Sequence, residues 1–169
     1  MSFSLWFDDV CGEPARVALQ RVQQAEKTPV GELRIYDLLR DGDRLLRWGV
    51  YFFYSQHGEC LYVGKNSTQK FVERIPIHFC LEPNTWMNHL VKKIQKHEAL
   101  PCLTDASEAA RGHTLLLMPV SEKEQRTWLA ALEKFFRLFA APKYNALRRR
   151  NRHNSINLDA PLLDVLKRL

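Results

Sequence analysis

What these 169 residues lack narrows the field first. No stretch approaches the apolar length needed to cross a bilayer. The opening Met1-Ser2-Phe3-Ser4-Leu5-Trp6-Phe7-Asp8-Asp9 has neither the basic start nor the apolar run of a secretory signal. Both absences point to a soluble intracellular protein, cytoplasmic or, in a eukaryote, nuclear, with no membrane partner. Cys11, Cys60, Cys80 and Cys102 are widely separated and form no Cys-x-x-Cys pair. Free, partly buried thiols are expected, rather than a disulfide or zinc framework. The six histidines show no His-Glu-x-x-His spacing, so no zinc site is indicated. Internal repeats and low-complexity segments are also missing.

What is present is ordinary for a folded chain. With 46% hydrophobic and 26% charged residues, wholesale disorder is excluded. The length fits one domain with an extension and is enough to bury a core. Lys and Arg number 25 against 19 Asp and Glu, a formal charge of +6 that suits a polyanionic partner without requiring one.

Along the chain, Glu13 and Pro14 followed by Val17, Leu19 and Val22 among polar residues predict an amphipathic helix over 13–27. Leu33, Ile35, Leu38 and Leu39 predict a second helix over roughly 31–40. Residues 49–64 place two aromatic and β-branched runs around a polar turn at Gly58, the pattern of a β-hairpin. Tyr51 and Tyr62 fall on adjacent strands, and Gly49 and Gly64 remove side-chain bulk where a large ligand could approach the backbone.

Next, Asn66 or Ser67 is expected to cap a helix running to about residue 75, ended or kinked by Pro76. Trp86, Met87, Leu90, Val91 and Ile94 alternate with Lys92, Lys93 and Lys96, predicting a helix over 84–97 with an apolar and a basic face. Pro101, Asp105, Ser107 and Gly112 make residues 98–113 read as a loop with room for a short helical turn. The apolar run from Thr114 to Val120 predicts a buried central strand pairing with the hairpin. Ser121 and Glu124 form a capping box ahead of a helix with Trp128, Leu129, Leu132, Phe135, Phe136 and Phe139 as its apolar stripe, stopped by Pro142. A basic block, Arg148-Arg149-Arg150-Asn151-Arg152, precedes a short amphipathic stretch over 158–169. The expected architecture is therefore α+β: a small, mainly antiparallel three-stranded sheet flanked by helices.

Gly49-Val50-Tyr51 followed by Tyr62-Val63-Gly64 resembles the signature of the GIY-YIG nuclease family. The resemblance extends to Arg74, twelve positions beyond Tyr62, to His78 four beyond Arg74, and to Glu133 followed twelve positions later by the end of Pro142-Lys143-Tyr144-Asn145. It covers residues 49–145 and implies a nuclease domain at 47–147, with 80–113 as a candidate insertion, a helical extension at 1–46 and a basic tail at 148–169. It also implies metal-dependent hydrolysis of DNA phosphodiester bonds, on duplex or branched DNA, by one chain, a homodimer or a chain working with a recognition partner.

The residue chemistry suits that reaction. Glu133 is a hard oxygen ligand for Mg²⁺ or Mn²⁺. Arg74 can clamp phosphate oxygens. Tyr51 is the candidate base or water-orienting group, although a phenol needs help to act near neutrality. Tyr62 would hold the water or Tyr51 in register, and His78 would share in proton transfer or hydrogen-bond Tyr51 or the phosphate. Asn145 would anchor the Glu133 helix to the tyrosine strands. Lys65, Lys92, Lys93, Lys143, Arg148, Arg149, Arg150 and Arg152 are the candidate DNA-backbone contacts. The rival reading is a DNA-binding module that keeps the fold without useful catalysis, or a nuclease subunit active only with a partner.

Overall fold

The computed structural model describes residues 3–34, 47–84, 89–121, 124–145 and 156–169. The proposed DNA contacts Arg148, Arg149, Arg150 and Arg152 lie outside the described residues, as do Trp86, Met87 and most of the predicted 31–40 helix. The described part of that helix is a 3₁₀ turn at Val30–Glu32.

The sheet has four strands rather than the expected three. They are β1 (Thr28–Pro29), β2 (Gly49–Tyr54), β3 (Cys60–Asn66) and β4 (Thr114–Pro119), all paired antiparallel in the order β1-β4-β2-β3. Strand β1 is only two residues long and contains a proline, which an edge strand tolerates because its outward N–H is not needed. As the apolar run predicts, β4 is central and lies against β2 from Gly49↔Pro119 to Tyr54↔Thr114.

All six residues of β2 are buried, because the sheet is covered on both faces. Val50, Phe52 and Tyr54 point into one layer with α1 (Ala15–Gln24), α5 (Leu129–Phe139) and α6 (Leu162–Leu166). Tyr51 and Phe53 point into the other, with α2 (Phe71–Ile77), α3 (His89–His97) and α4 (Leu103–Arg111). Phe52 meets Phe136 edge-on at 4.9 Å. Burying rings of this size contributes about 1.5–3 kcal/mol each.

The pairing of β2 with β3 shifts at Phe53/Tyr54: Phe53 opposes Tyr62 and Tyr54 opposes Cys60, which leaves Leu61 as an extra residue. This bulge lets Leu61 and Tyr62 share one layer while Cys60 and Val63 face the other. Tyr62 thereby stands on the same face as Tyr51.

Three local expectations are corrected. The helix after the hairpin begins at Phe71, with Lys70 as its N-cap and Asn66 still in the strand. Its start is closed by Glu73 Oε2 accepting from the Lys70 N–H at 2.6 Å. Pro76 sits in its last turn without ending it. Residues 98–113 hold the α4 helix, whose Ala106 and Ala110 are fully buried; Pro101 and Gly112 stand just outside its ends. The helix expected from Ser121 begins as a 3₁₀ turn, Glu124–Trp128, and becomes α-helical only at Leu129.

The chain ends are tied into this body. Residues 3–5 pair with β4 through Leu117, and residues 11–16 bond to residues 158–163, so that α1 packs on α6. The four cysteines are free. No helix among the described residues is long and apolar enough to cross a membrane.

Candidate active site

The tyrosine cluster forms on one face of the hairpin, where α2 crosses it, and α5 brings Glu133 from the layer on the other face. Arg74 and His78 are four residues apart, so one turn of α2 presents both to the same phenol despite Pro76. Arg74 Nε donates to Tyr51 Oη at 3.3 Å, and Tyr51 Oη and His78 Nε2 are hydrogen-bonded at 2.6 Å, the donor being set by the imidazole tautomer. The Tyr62 ring stacks beside Tyr51 with centroids 6.2 Å apart, and His78 meets it edge-on at 5.4 Å. His89, at the start of α3, lies 6.2 Å from His78.

The glycines serve this geometry differently from the sequence expectation. A Cβ at Gly64 would stand 2.4 Å from the Tyr51 phenol, and one at Gly49 would stand 2.1 Å from the Met118 carbonyl and 2.6 Å from Phe71. The space they leave is filled by the protein's own groups, not kept for a ligand.

From α5, Glu133 faces Lys65 of β3, with Nζ to Oε2 at 3.4 Å, and Arg137 one helical turn on, at 3.8 Å. Both separations are long for charge-assisted hydrogen bonds, so the carboxylate is balanced but not locked. It is close enough to the hairpin for its charge to push the pKa of both tyrosines upward. Lys93 of α3 completes the group: its ammonium lies 5.0 Å from the Tyr62 ring centroid and donates to the Tyr144 carbonyl at 2.9 Å. Glu133 thus pairs with Lys65 and Arg137 and acts electrostatically on Lys93, while Arg74 stands on Tyr51, and cations outnumber the carboxylate, so the site attracts anions.

Burial dominates the titration of the core of the site. Tyr51 and His78 are both fully buried. Burial raises the Tyr51 phenol far above its ordinary value, and the nearby Arg74 only partly offsets it. Burial also holds His78 well below its usual range, with Arg74, His89 and Lys93 adding to the effect. His78 is therefore neutral near pH 7, and its Nδ1 is enclosed without a partner. Lys93 is lowered by burial and by Arg137, and Glu133 opposes the shift.

The other sequence candidates separate by position. Asn145 binds the outer edge of β3: its Oδ1 accepts from the Val63 N–H at 2.7 Å and its Nδ2 donates to the Val63 carbonyl at 3.0 Å. The N–H groups of Lys143 and Tyr144 reach the Cys60 and Leu61 carbonyls beside it. The Pro142–Asn145 segment thereby closes an edge that would otherwise expose unpaired backbone groups. Lys143 is paired with Glu98 at 2.6 Å and Lys92 is exposed on α3; neither is among the groups that meet at Tyr51 and Glu133. Sequence reasoning missed Arg137 and His89. Arg137 had a usable signal, its i, i+4 spacing from Glu133; His89 had none.

No group of three or more His, Cys, Asp or Glu side chains gathers among the described residues. A metal caged by protein ligands alone does not fit. A single, loosely paired carboxylate does fit an ion such as Mg²⁺ that keeps waters and takes phosphate oxygens. No family model, curated protein or solved structure matches the chain, so its function is argued from this geometry.

Proposed function

We propose that this chain is a metal-dependent endonuclease of the GIY-YIG type that hydrolyses DNA phosphodiester bonds by water attack. The observation that carries the reading is the convergence of Tyr51, Arg74 and His78 on one phenol oxygen beside the Glu133 carboxylate and its surrounding cations. These residues come from two strands and three helices, and a merely structural tyrosine does not need them.

Arg74, Arg137, Lys65 and Lys93 draw in the scissile phosphate and stabilise the charge that develops on its nonbridging oxygens. Tyr62, at the edge of the buried pair, and Arg74 orient the attacking water. Burial makes Tyr51 a poor base and also disfavours an imidazolium at His78, so the two act only as a relay in the transition state: Tyr51 takes the proton of the attacking water as its own passes to the neutral imidazole. A new water oxygen–phosphorus bond forms, the bond to the leaving sugar oxygen breaks, and that oxygen takes a proton from solvent. Glu133 would hold one Mg²⁺ or Mn²⁺, which when bound supplies positive charge at the leaving oxygen. Asn145 acts on position only, through β3.

The burial of Tyr51 and His78 favours one alternative, a DNA-binding module that keeps the fold without cleavage. Cleavage of supercoiled, branched and single-stranded DNA with Mg²⁺ or Mn²⁺ separates the two. The nuclease reading expects the parent to cut and Glu133→Ala and Arg74→Ala each to lose about a hundredfold or more, with DNA binding kept in Glu133→Ala. A folded parent that binds but cuts nothing would leave the binding module.

A further inference from the structure

One turn ahead of Arg74, a second basic cluster surrounds the indole of Trp48. Lys70 Nζ lies 3.3 Å from the ring centroid and the Arg126 guanidinium carbon 4.3 Å from it. The two cations come from elements far apart in sequence, the N-cap of α2 and the 3₁₀ turn before α5. Arg126 is held in place by Nη2 donating to the Ser67 carbonyl. Arg47 joins them: its Nη1 donates to the Ser121 carbonyl at 2.6 Å, and the pKa of Lys70 is lowered first by burial and then by the charges of Arg126 and Arg47.

Among the described residues, the groups set over the Trp48 ring are cations. Glu73, the acid nearest Lys70, is engaged on the Lys70 backbone N–H, and Asp8 is engaged with Ser121 and Gln125. Trp48 Nε1 and Arg126 Nε are enclosed without acceptors among the described residues. Like charges gathered around one indole repel one another, and the ring's quadrupole offsets only part of that cost. An anion would offset the rest.

We propose that the Trp48, Lys70, Arg126 and Arg47 cluster is a DNA-backbone clamp distinct from the cleavage site, which holds a phosphate of the cut strand one or two nucleotides from the scissile one. Lys70 and Arg74 are four residues apart along α2, which spans about 6 Å of helix. That is of the order of the spacing between neighbouring phosphates along one strand, which winds around the duplex axis and so exceeds the axial rise. A strand lying along α2 reaches both sites without bending. The clamp sets the register of the cut, and this inference rests on the nuclease reading.

The test is anisotropy of a labelled DNA duplex with EDTA present, over a salt series, for the parent, Lys70→Ala, Arg126→Gln and the charge-preserving Arg126→Lys, each checked for folding by circular dichroism. Lys70→Ala and Arg126→Gln are expected to bind five- to tenfold more weakly and to lower the slope of log K against log salt by about one each. Arg126→Lys is expected to keep most of the affinity. Cleavage with Mg²⁺ is measured beside it. If the parent cuts DNA while both folded variants bind like the parent with an unchanged slope, the clamp is overturned and the nuclease reading stands. If the parent neither binds nor cuts, both fall.

Discussion

The Tyr51 phenol occupies the space a side chain at Gly64 would need: a Cβ there would stand 2.4 Å from its oxygen. Tyr51 and Gly64 are direct partners across the hairpin, so the absent side chain on one strand positions the functional side chain of the other.

Gly64→Ala must therefore move Tyr51 off Arg74 and His78. The expected cost is about 1–3 kcal/mol in denaturant unfolding, the usual range for overpacking, with a loss of cleavage larger than that stability change explains. Gly49→Ala meets the Met118 backbone, which cannot swing away, and should destabilise more. A Gly64→Ala protein as stable and active as the parent would show that the phenol is not held there.

Asn145 supplies both partners of the Val63 backbone on the outer edge of β3. Asn145→Ala leaves a buried N–H and a buried carbonyl unmet, and unfolding should show a loss of about 2–4 kcal/mol. Asn145→Asp keeps the acceptor for the Val63 N–H but sets a carboxylate oxygen against the carbonyl, so a loss is expected there too. Equal stability of all three proteins would count against the edge-closing role.

The buried, neutral His78 makes stability depend on pH. Its folded pKa lies below its unfolded value of about 6.5. Between the two, the unfolded chain binds a proton that the folded chain refuses, so stability is full above pH 6.5 and falls as the pH drops toward the folded value. His89 and His113, lowered by burial in the same way, add to the slope. Unfolding free energies measured from pH 8 to pH 5 should decline, and His78→Gln should flatten the decline by up to about 1.4 kcal/mol per pH unit.

Arg137 pairs with Glu133 from one turn along α5. Under the proposed function, Arg137→Ala removes a phosphate contact and part of the field on Lys93. Cleavage should fall about ten- to a hundredfold, with little change in stability, because the pair is partly exposed. An unchanged rate would remove Arg137 from the site.

What could be read in advance was local. The hairpin, the central β4 run, the α3 helix and the apolar stripe of α5 announce themselves because period and turn chemistry are properties of neighbouring residues. Arg74 and His78 are a legible pair for the same reason, their spacing being one helical turn.

The α4 helix was legible only as a loop with room for a short helical turn, not as nine helical residues. It buries only Ala106 and Ala110, too little apolar area to mark a face against its Asp, Ser and Glu residues.

By itself the sequence determined the α+β class, the positions of the main strands and helices, and the residue types available for chemistry. Only the tertiary structure decided the fourth strand, since two residues carry no pattern of their own and β1 exists through its pairing with β4. It also decided the bulge at Leu61, the closing of the β3 edge by Asn145, and the approach of Lys65 and Lys93 to Glu133. Above all it decided the protonation of Tyr51 and His78. Burial and electrostatic potential are sums over neighbours distant in the chain, and no window along the sequence contains them.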